Sequence, residues 1–254
     1  MGFADLHVHS IYSYDGTSSI AAILKYTADY TDLSVIAITD HDSMRGCQEA
    51  LDLAPRYGVE VIPGCEVTTS EGHLLALFID RPAKAGRSLV DTLSAVGEMG
   101  GLCIAAHPMA RGTSSLSFNS IWYALKQPGV FRTLVGVEAF NGGLVYTRRN
   151  PAIAEMAASL PIAQVGNSDA HILSQIGQGS TQFKGKTSSD LRIALLRTET
   201  QVRMGTGLNG FRVIKSYIPQ FLLRKLGWTI WNAYPQAPMQ YIRLSQMLYK
   251  QQSF

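Results

Sequence analysis

Residues 4–19 read ADLHVHSIYSYDGTSS. The apolar start reads as a strand, so His7 and His9, two residues apart, point to one face. Asp15 follows beside Gly16, a pair that favours a turn. Two imidazoles and a carboxylate at the end of a strand suit a cation. H-x-H alone is also ordinary strand sequence. The reading turns on whether the rest of the chain repeats the arrangement.

It does. Short β-type runs fall at 3–8, 34–39, 59–66, 73–79, 102–106, 134–139 and 162–166. Segments with helical apolar spacing lie between most of them, at 19–30, 45–56, 88–99 and 151–159. Strand–helix alternation predicts parallel strands with crossover helices. His7 and His9 end the first run. Asp40-His41 follows the second, Glu66 ends the third and His107 follows the fifth. Glu138 ends the sixth, and Asp169 and His171 follow the seventh. Polar residues gathered at the same end of strand after strand favour a barrel over an open sheet, which would gather them only at a switch point. The expected fold is α/β, a barrel of seven strands with a helical C-terminal extension.

With 254 residues, 46% of them hydrophobic, the chain can bury a sizeable core and is not disordered. Its three cysteines, Cys47, Cys65 and Cys103, form no C-x-x-C pair. That fits a reducing, cytoplasmic setting. No signal peptide, membrane-spanning run or myristoylation motif is expected. All 19 acidic residues lie at or before Glu199. Residues 1–204 therefore carry a net −3, and 205–254 carry +6 from Arg212, Lys215, Arg224, Lys225, Arg243 and Lys250. This asymmetry sets the expected domain boundary at 204/205.

The chain has six histidines, at 7, 9, 41, 73, 107 and 171. Four of them fall in the motifs H-V-H, D-H-D and D-A-H, close to a carboxylate or another histidine. Imidazole and carboxylate ligands without thiolate suit Zn, Mn or Fe at a catalytic site. Eight or nine candidate ligands exceed the need of one ion and match two or three that share bridging carboxylates.

The order H-x-H, D-G, T-D-H-D, P-G-x-E, A-H-P and N-S-D-A-H resembles the PHP (polymerase and histidinol phosphatase) superfamily. Within it the chain looks most like the small stand-alone metal-dependent phosphoesterases, over roughly residues 3–175. The resemblance implies a distorted seven-stranded (β/α)7 TIM-like barrel, a di- or trinuclear centre at its C-terminal mouth, and hydrolysis of phosphate esters by metal-activated hydroxide. It implies that His7, His9, Glu66 and Asp169 hold a first ion. Glu66 would bridge to a second ion that also takes His107 and His73. Asp15, His41 and His171 would hold a third. Asp169, His171 and Arg111 are the candidate catalytic side chains. Arg111, after A-H-P-M, would hold a phosphate oxygen, and a protonated histidine would serve the leaving oxygen. A small phosphorylated substrate of nucleotide or oligonucleotide type is implied.

Other residues weigh less. Glu138 reads equally as a partner of a metal-binding histidine and as a solvated strand-end glutamate. Asp40 or Asp42 could orient His41, and Asp42 could instead cap a helix starting near 44. G-T-G-L-N-G at 205–210 matches a dinucleotide fingerprint but has no acidic residue downstream for a ribose, and reads as a linker. The extension carries a helical apolar arc of Val213, Ile214, Tyr217, Ile218 and Phe221, interrupted by Pro219. It reads as a helical element packed on the barrel or on a partner chain, with an anionic membrane surface or single-stranded nucleic acid as the sharper alternatives. Two rival functions stand beside the phosphoesterase. One is an amidohydrolase-type hydrolase, which would want a lysine at a mid-barrel strand end. The other is a non-catalytic metal-binding module that delivers the basic tail.

Overall fold

The computed structural model describes residues 1–110, 114–143, 146, 148–205, 210–234 and 237–243. In chain order the elements are β1 (Gly2–Val8), α1 (Ile20–Tyr30), β2 (Val35–Ile38), α2 (Arg45–Leu53), β3 (Glu60–Ile62), β4 (Gly64–Thr68), β5 (His73–Leu77), α3 (Leu89–Glu98), β6 (Leu102–Ala105) and α4 (Phe118–Leu125). They continue with β7 (Leu134–Asn141), α5 (Asn150–Ala157), β8 (Ala163–Asn167), β9 (Gly179–Phe183), α6 (Ser188–Leu196), β10 (Gln201–Met204), α7 (Gly210–Lys225), β11 (Trp228–Tyr234) and β12 (Ala237–Arg243). Helix starts follow local chemistry. Ser19, Ser88, Ser117 and Thr187 each accept a backbone N–H of the first turn through the side-chain oxygen. Such a cap contributes about 1 kcal/mol.

All seven expected strands are present. The run at 59–66 is split in two, because Pro63 has no N–H to continue a ladder. The closed seven-stranded barrel is not formed. The strands make two five-stranded sheets, ordered β10-β9-β1-β2-β3 and β4-β5-β6-β7-β8. β4–β5 and β5–β6 pair antiparallel, whereas β1–β2, β2–β3, β6–β7 and β7–β8 are parallel. The physical reason is edge competition. Antiparallel β9 takes the edge of β1 that β8 would need, and β3 takes the edge of β2 that β4 would need. Each junction between the sheets is left with one isolated bridge, Val8 with Ala170 and His41 with Glu66.

A bulge in β1 sets which face carries the histidines. Asp5 pairs with Ile36 but Val8 pairs with Ile38, so β1 holds one residue more than β2 across that interval. Ala4 and Leu6 pack in one apolar cluster with Val35 and Ala37. Val8 packs in the other, with Ile36 and Ile38. Without the extra residue the faces would stay in step along both strands. The bulge re-aims the strand end, the role such irregularities commonly play beside functional sites.

The C-terminal region is helical only in part. α7 runs from Gly210 to Lys225 with Pro219 inside it, and an antiparallel hairpin, β11–β12, follows. The sequence pattern hides the hairpin because its aromatics fit a helix face as well as a strand. The linker positions 206–209 lie outside the described residues. No helix among the described residues is long and apolar enough to cross a membrane.

All three cysteines are free and buried. Burial pushes the Cys47 thiol up to about 11 and the Cys65 thiol up to about 12, and also raises Cys103 well above its usual value. Native protein at pH 8 is therefore expected not to react with Ellman's reagent, whereas urea-unfolded protein reacts at all three thiols. Rapid reaction of any thiol in the native state would contradict this packing.

Candidate metal centre

The centre is built around a buried carboxylate. Glu66 lies in the middle of β4 and is fully buried. Five imidazoles point at it. His7 Nε2 and His41 Nδ1 lie 3.2 Å from Oε2, and His9 Nε2 lies 3.3 Å from it. His73 Nδ1 lies 2.8 Å and His107 Nε2 3.0 Å from Oε1. Asp169 Oδ1 stands 3.4 Å from His7 Nε2 and 3.2 Å from His9 Nε2. Asp15 faces the same cavity, with Oδ2 3.0 Å from His171 Nε2 and 3.4 Å from His41 Nε2. The structure thus brings together all nine residues singled out as candidate ligands. Their donor atoms fall into overlapping groups of three, including His7–His9–Glu66, His9–Asp15–His41 and His41–Glu66–His73. Arg111 lies outside the described residues.

Four of these buried atoms make no hydrogen bond: His7 Nε2, His41 Nδ1, His73 Nδ1 and Glu66 Oε2. They sit close to one another, but the angles are wrong for hydrogen bonding. Leaving a buried polar atom unpaired costs about 1–3 kcal/mol. Four in one place is an unstable arrangement for protein alone and a natural one around cations. The donor set also fits, being hard and borderline ligands of the types that hold divalent transition ions. Glu66, with two oxygens facing different histidines, can bridge two ions.

Electrostatics point the same way. Burial favours a neutral Glu66, but the charge of His7, the hydrogen bond from His107 and the close approach of the His7 and His73 rings hold it well below the usual carboxylate range. Burial opposes charge on His9, yet Asp169 and Glu66 raise its pKa to about 10. His7 is likewise raised, with Asp169, Glu66 and Glu138 outweighing its burial. Without a cation, the carboxylates draw protons onto these rings.

A surrounding layer of hydrogen bonds fixes each ring. Glu138 on β7 accepts from His7 Nδ1 at 2.8 Å, from the His107 backbone N–H at 2.7 Å, from Asn167 at 2.8 Å and from Asn141 at 3.0 Å. With Nδ1–H of His7 committed to Glu138, the Nε2 lone pair is left for the cluster. The glutamate of GVEAFN is therefore a ring-orienting partner, as metal-binding histidines require. Asn141 and Asn167 are further partners that the sequence reading did not single out. As neutral amides in strands they carry no signal until Glu138 is placed beside them. Ser13, also missed, accepts from His9 Nδ1 at 3.3 Å and donates to Asp15 at 2.7 Å. His171 donates from Nδ1 to the backbone oxygen of Asp169 at 2.9 Å, which frees Nε2 to face Asp15.

Asp40 and Asp42 do not orient His41. Buried Asp40 accepts from the Ser10 N–H at 2.6 Å and hydroxyl at 2.7 Å, which pins the loop after β1. Asp42 accepts from the Thr68 N–H at 2.7 Å, and α2 begins after Met44 with no side-chain cap. Gly16 is required by close approach: a Cβ there would lie 2.0 Å from the Ser10 carbonyl oxygen. His107 and Asp169 take positive φ, 27° and 51°. Non-glycine residues held this way cost roughly 1–3 kcal/mol, and such strain persists where neighbours over-determine it. Glu138 supplies that restraint for His107.

Comparison with known proteins identifies the family. The PHP domain family model matches residues 5–140, and the PHP-associated model matches 147–200. An uncharacterised protein of Methanocaldococcus jannaschii is 34% identical over 172 residues, 62% of this chain and 93% of that protein. A 5'-3' exoribonuclease of Haemophilus influenzae is 27% identical over 195 residues, 75% of this chain and 62% of that enzyme. A crystal structure of a two-domain protein from Bacteroides vulgatus, containing a predicted PHP-like metal-dependent phosphoesterase, superposes with a TM-score of 0.61. It is 19% identical, with 90% of this chain and 70% of that chain covered.

Two expectations follow from the layered hydrogen bonding. Glu138→Gln, which leaves His7 Nδ1 without a carboxylate, should weaken divalent metal binding by about 10- to 100-fold. Calorimetric titration of chelator-stripped protein checks this, and unchanged affinity would remove Glu138 from the centre. Binding should also release protons. His9 titrates near 10 when metal-free, so it is protonated at neutral pH and must lose its proton to become a ligand. Apparent affinity should therefore rise with pH toward that value, by about tenfold per unit for each proton released. An affinity independent of pH between 6 and 9 would show that the rings are not the ligands.

Proposed function

The chain belongs to the PHP domain family, and from that premise we propose that it is a metal-dependent hydrolase of phosphate esters. The observation that carries the reading is the set of buried, unpartnered imidazole and carboxylate atoms converging in one cavity of about 680 Å³. Held there, two or three divalent ions would supply Lewis acidity, making a water more acidic and offsetting the charge on phosphoryl oxygens. His7, His9, Glu66 and Asp169 would hold the first ion, and Glu66, His73 and His107 the second.

The chain's own contribution is orientation and proton handling. Glu138, Ser13 and the Asp169 carbonyl lock three imidazoles by their Nδ1 atoms. His171 has the most exposed side chain of the six histidines, at 22%. Its Nε2 faces Asp15 at the cavity, in a position from which it could pass a proton to the leaving oxygen. With two ions His171 is available for that role; with three it becomes a ligand beside Asp15 and His41. Metal stoichiometry separates the two arrangements.

A nucleotide-type substrate is the finer reading, supported by the likeness to an exoribonuclease. The amidohydrolase reading is weaker, since no lysine lines the cavity among the described residues. The test is a panel of phosphomonoesters, phosphodiesters, nucleotides, amides and lactones, run on protein loaded with Mn, Zn or Fe. Phosphate-ester hydrolysis should disappear with chelator and fall by roughly a hundredfold or more in Asp169→Asn. Protein that binds no transition ion, or that cleaves only amides or lactones, would sink the proposal.

A further inference from the structure

α7 lies outside both family-model matches, yet it forms a wall of the metal cavity. It is anchored to the loop that carries Asp15. The Arg224 guanidinium donates to the carbonyls of Ile11, Ser13 and Tyr14. Gln220 accepts from the Thr17 hydroxyl at 3.1 Å, and the Tyr217 hydroxyl donates to the Asp15 carbonyl at 3.3 Å. Thr229, just beyond the helix, donates to the Thr17 carbonyl at 2.9 Å. Six hydroxyl, amide and guanidinium contacts of this kind, five from α7 and one from Thr229, hold one helix face in a fixed position above the ligands.

The chemistry of that wall is selective. Away from the metal-binding side chains the cavity is lined chiefly by Tyr14, Tyr146, Val213, Ile214, Tyr217 and Ile218. Tyr14 stacks on His41 at 4.8 Å between ring centres, and Tyr146 stacks on His107 at 5.0 Å and nearly coplanar. No lysine or arginine is among the described lining residues. Ile214 and Ile218, one helical turn apart, face the cavity and are each 50% exposed. Apolar side chains at the mouth of a polar cavity gain by being covered. A second phosphate or another charged group against Ile214 and Ile218 would meet no cation among the described lining residues and would lose water against isoleucine.

We propose that the Ile214–Tyr217–Ile218 face of α7 is the seat for the organic part of the substrate, and that this part is an uncharged apolar or aromatic group carrying a single phosphate. The inference rests on the phosphoesterase reading and narrows it, replacing the nucleotide-type substrate by a monophosphate of an uncharged group. An alkyl chain and a flat aromatic ring share the chemistry that this wall recognises.

Non-hydrolysable phosphonates test it through binding, independently of turnover. Methyl-, butyl-, octyl- and benzylphosphonate are titrated calorimetrically into metal-loaded full-length protein. Affinity should rise by about two- to fourfold per methylene until the wall is covered. A rise along the alkyl series with benzylphosphonate no better than methylphosphonate identifies an alkyl group; a strong gain for benzylphosphonate identifies a ring. Ile214→Asn with Ile218→Asn should flatten the series, and half-exposed positions tolerate these changes. Leu226→Asn, 76% exposed and outside the cavity lining, should retain it. A flat series in the unmodified protein, or a series as steep in the double variant, overturns the proposal. A rising series without hydrolysis of the matching phosphates keeps the wall and rejects the phosphoesterase reading. Hydrolysis with a flat series does the reverse.

Discussion

One buried carboxylate organises this molecule. Glu66 is inaccessible to solvent, and five of the six imidazoles lie within 3.3 Å of its oxygens. A lone carboxylate in such a place would be neutral, because desolvation penalises its charge. Instead it is held ionised by the rings around it. The rings in turn come from strands of both sheets and the loops that follow them, so no single element can form the centre. The backbone is tied to the same point. The Asp42 N–H donates to the Glu66 carbonyl at 2.8 Å, within the single bridge that joins the sheets beside β2 and β4. The weakest seam of the fold is therefore also the place where its charge is concentrated. Cations bound there would hold the two sheets together as well as serve chemistry, since binding to the folded state alone adds to stability.

Much of this was legible in the sequence because ligand-type residues recur where apolar runs end. His7, His9, Glu66, His107, Asp169 and His171 could be placed on one side of the fold from that pattern alone, and the structure brings them together. The pattern could not reveal closure. Whether seven strands join into a barrel depends on which edges are free. β9, at 179–183, reads GSTQF, too polar to register as a strand, yet it occupies the edge of β1. The bulge in β1 is equally silent, since it is a mismatch in length between two paired strands rather than a residue type. The partners Asn141, Asn167 and Ser13 were missed for a related reason: small neutral polar residues gain meaning only from what they touch.

The C-terminal segment shows the limit of charge as a guide. Its excess of basic residues raised an anion-seeking tail as the sharper alternative to a helix packed on the barrel or on a partner chain. Yet Arg224 is turned inward, where burial lowers its pKa below the usual arginine value, and it caps three backbone carbonyls of the loop between β1 and α1. A guanidinium suits that task, because its planar fork offers several donors at fixed angles and replaces the water those carbonyls would otherwise need. Gln220, also buried, contributes a neutral contact beside it. Arg224, Gln220 and Tyr217 of α7 thus serve as anchors on one side, while Val213, Ile214 and Ile218 are left at the cavity mouth.

That division links specificity to the centre itself. The loop held by Arg224 contains Ser13 and Asp15, and Ser13 connects His9 to Asp15 through its hydroxyl. Any shift of α7 would therefore move the carboxylate that faces His41 and His171, as well as the wall of the cavity. A substrate group pressing on Ile214 and Ile218 acts on the same rigid unit that positions Asp15. Binding energy gathered at the wall can in this way be used to align the reacting end, which is how contacts remote from the scissile bond improve catalysis rather than affinity alone.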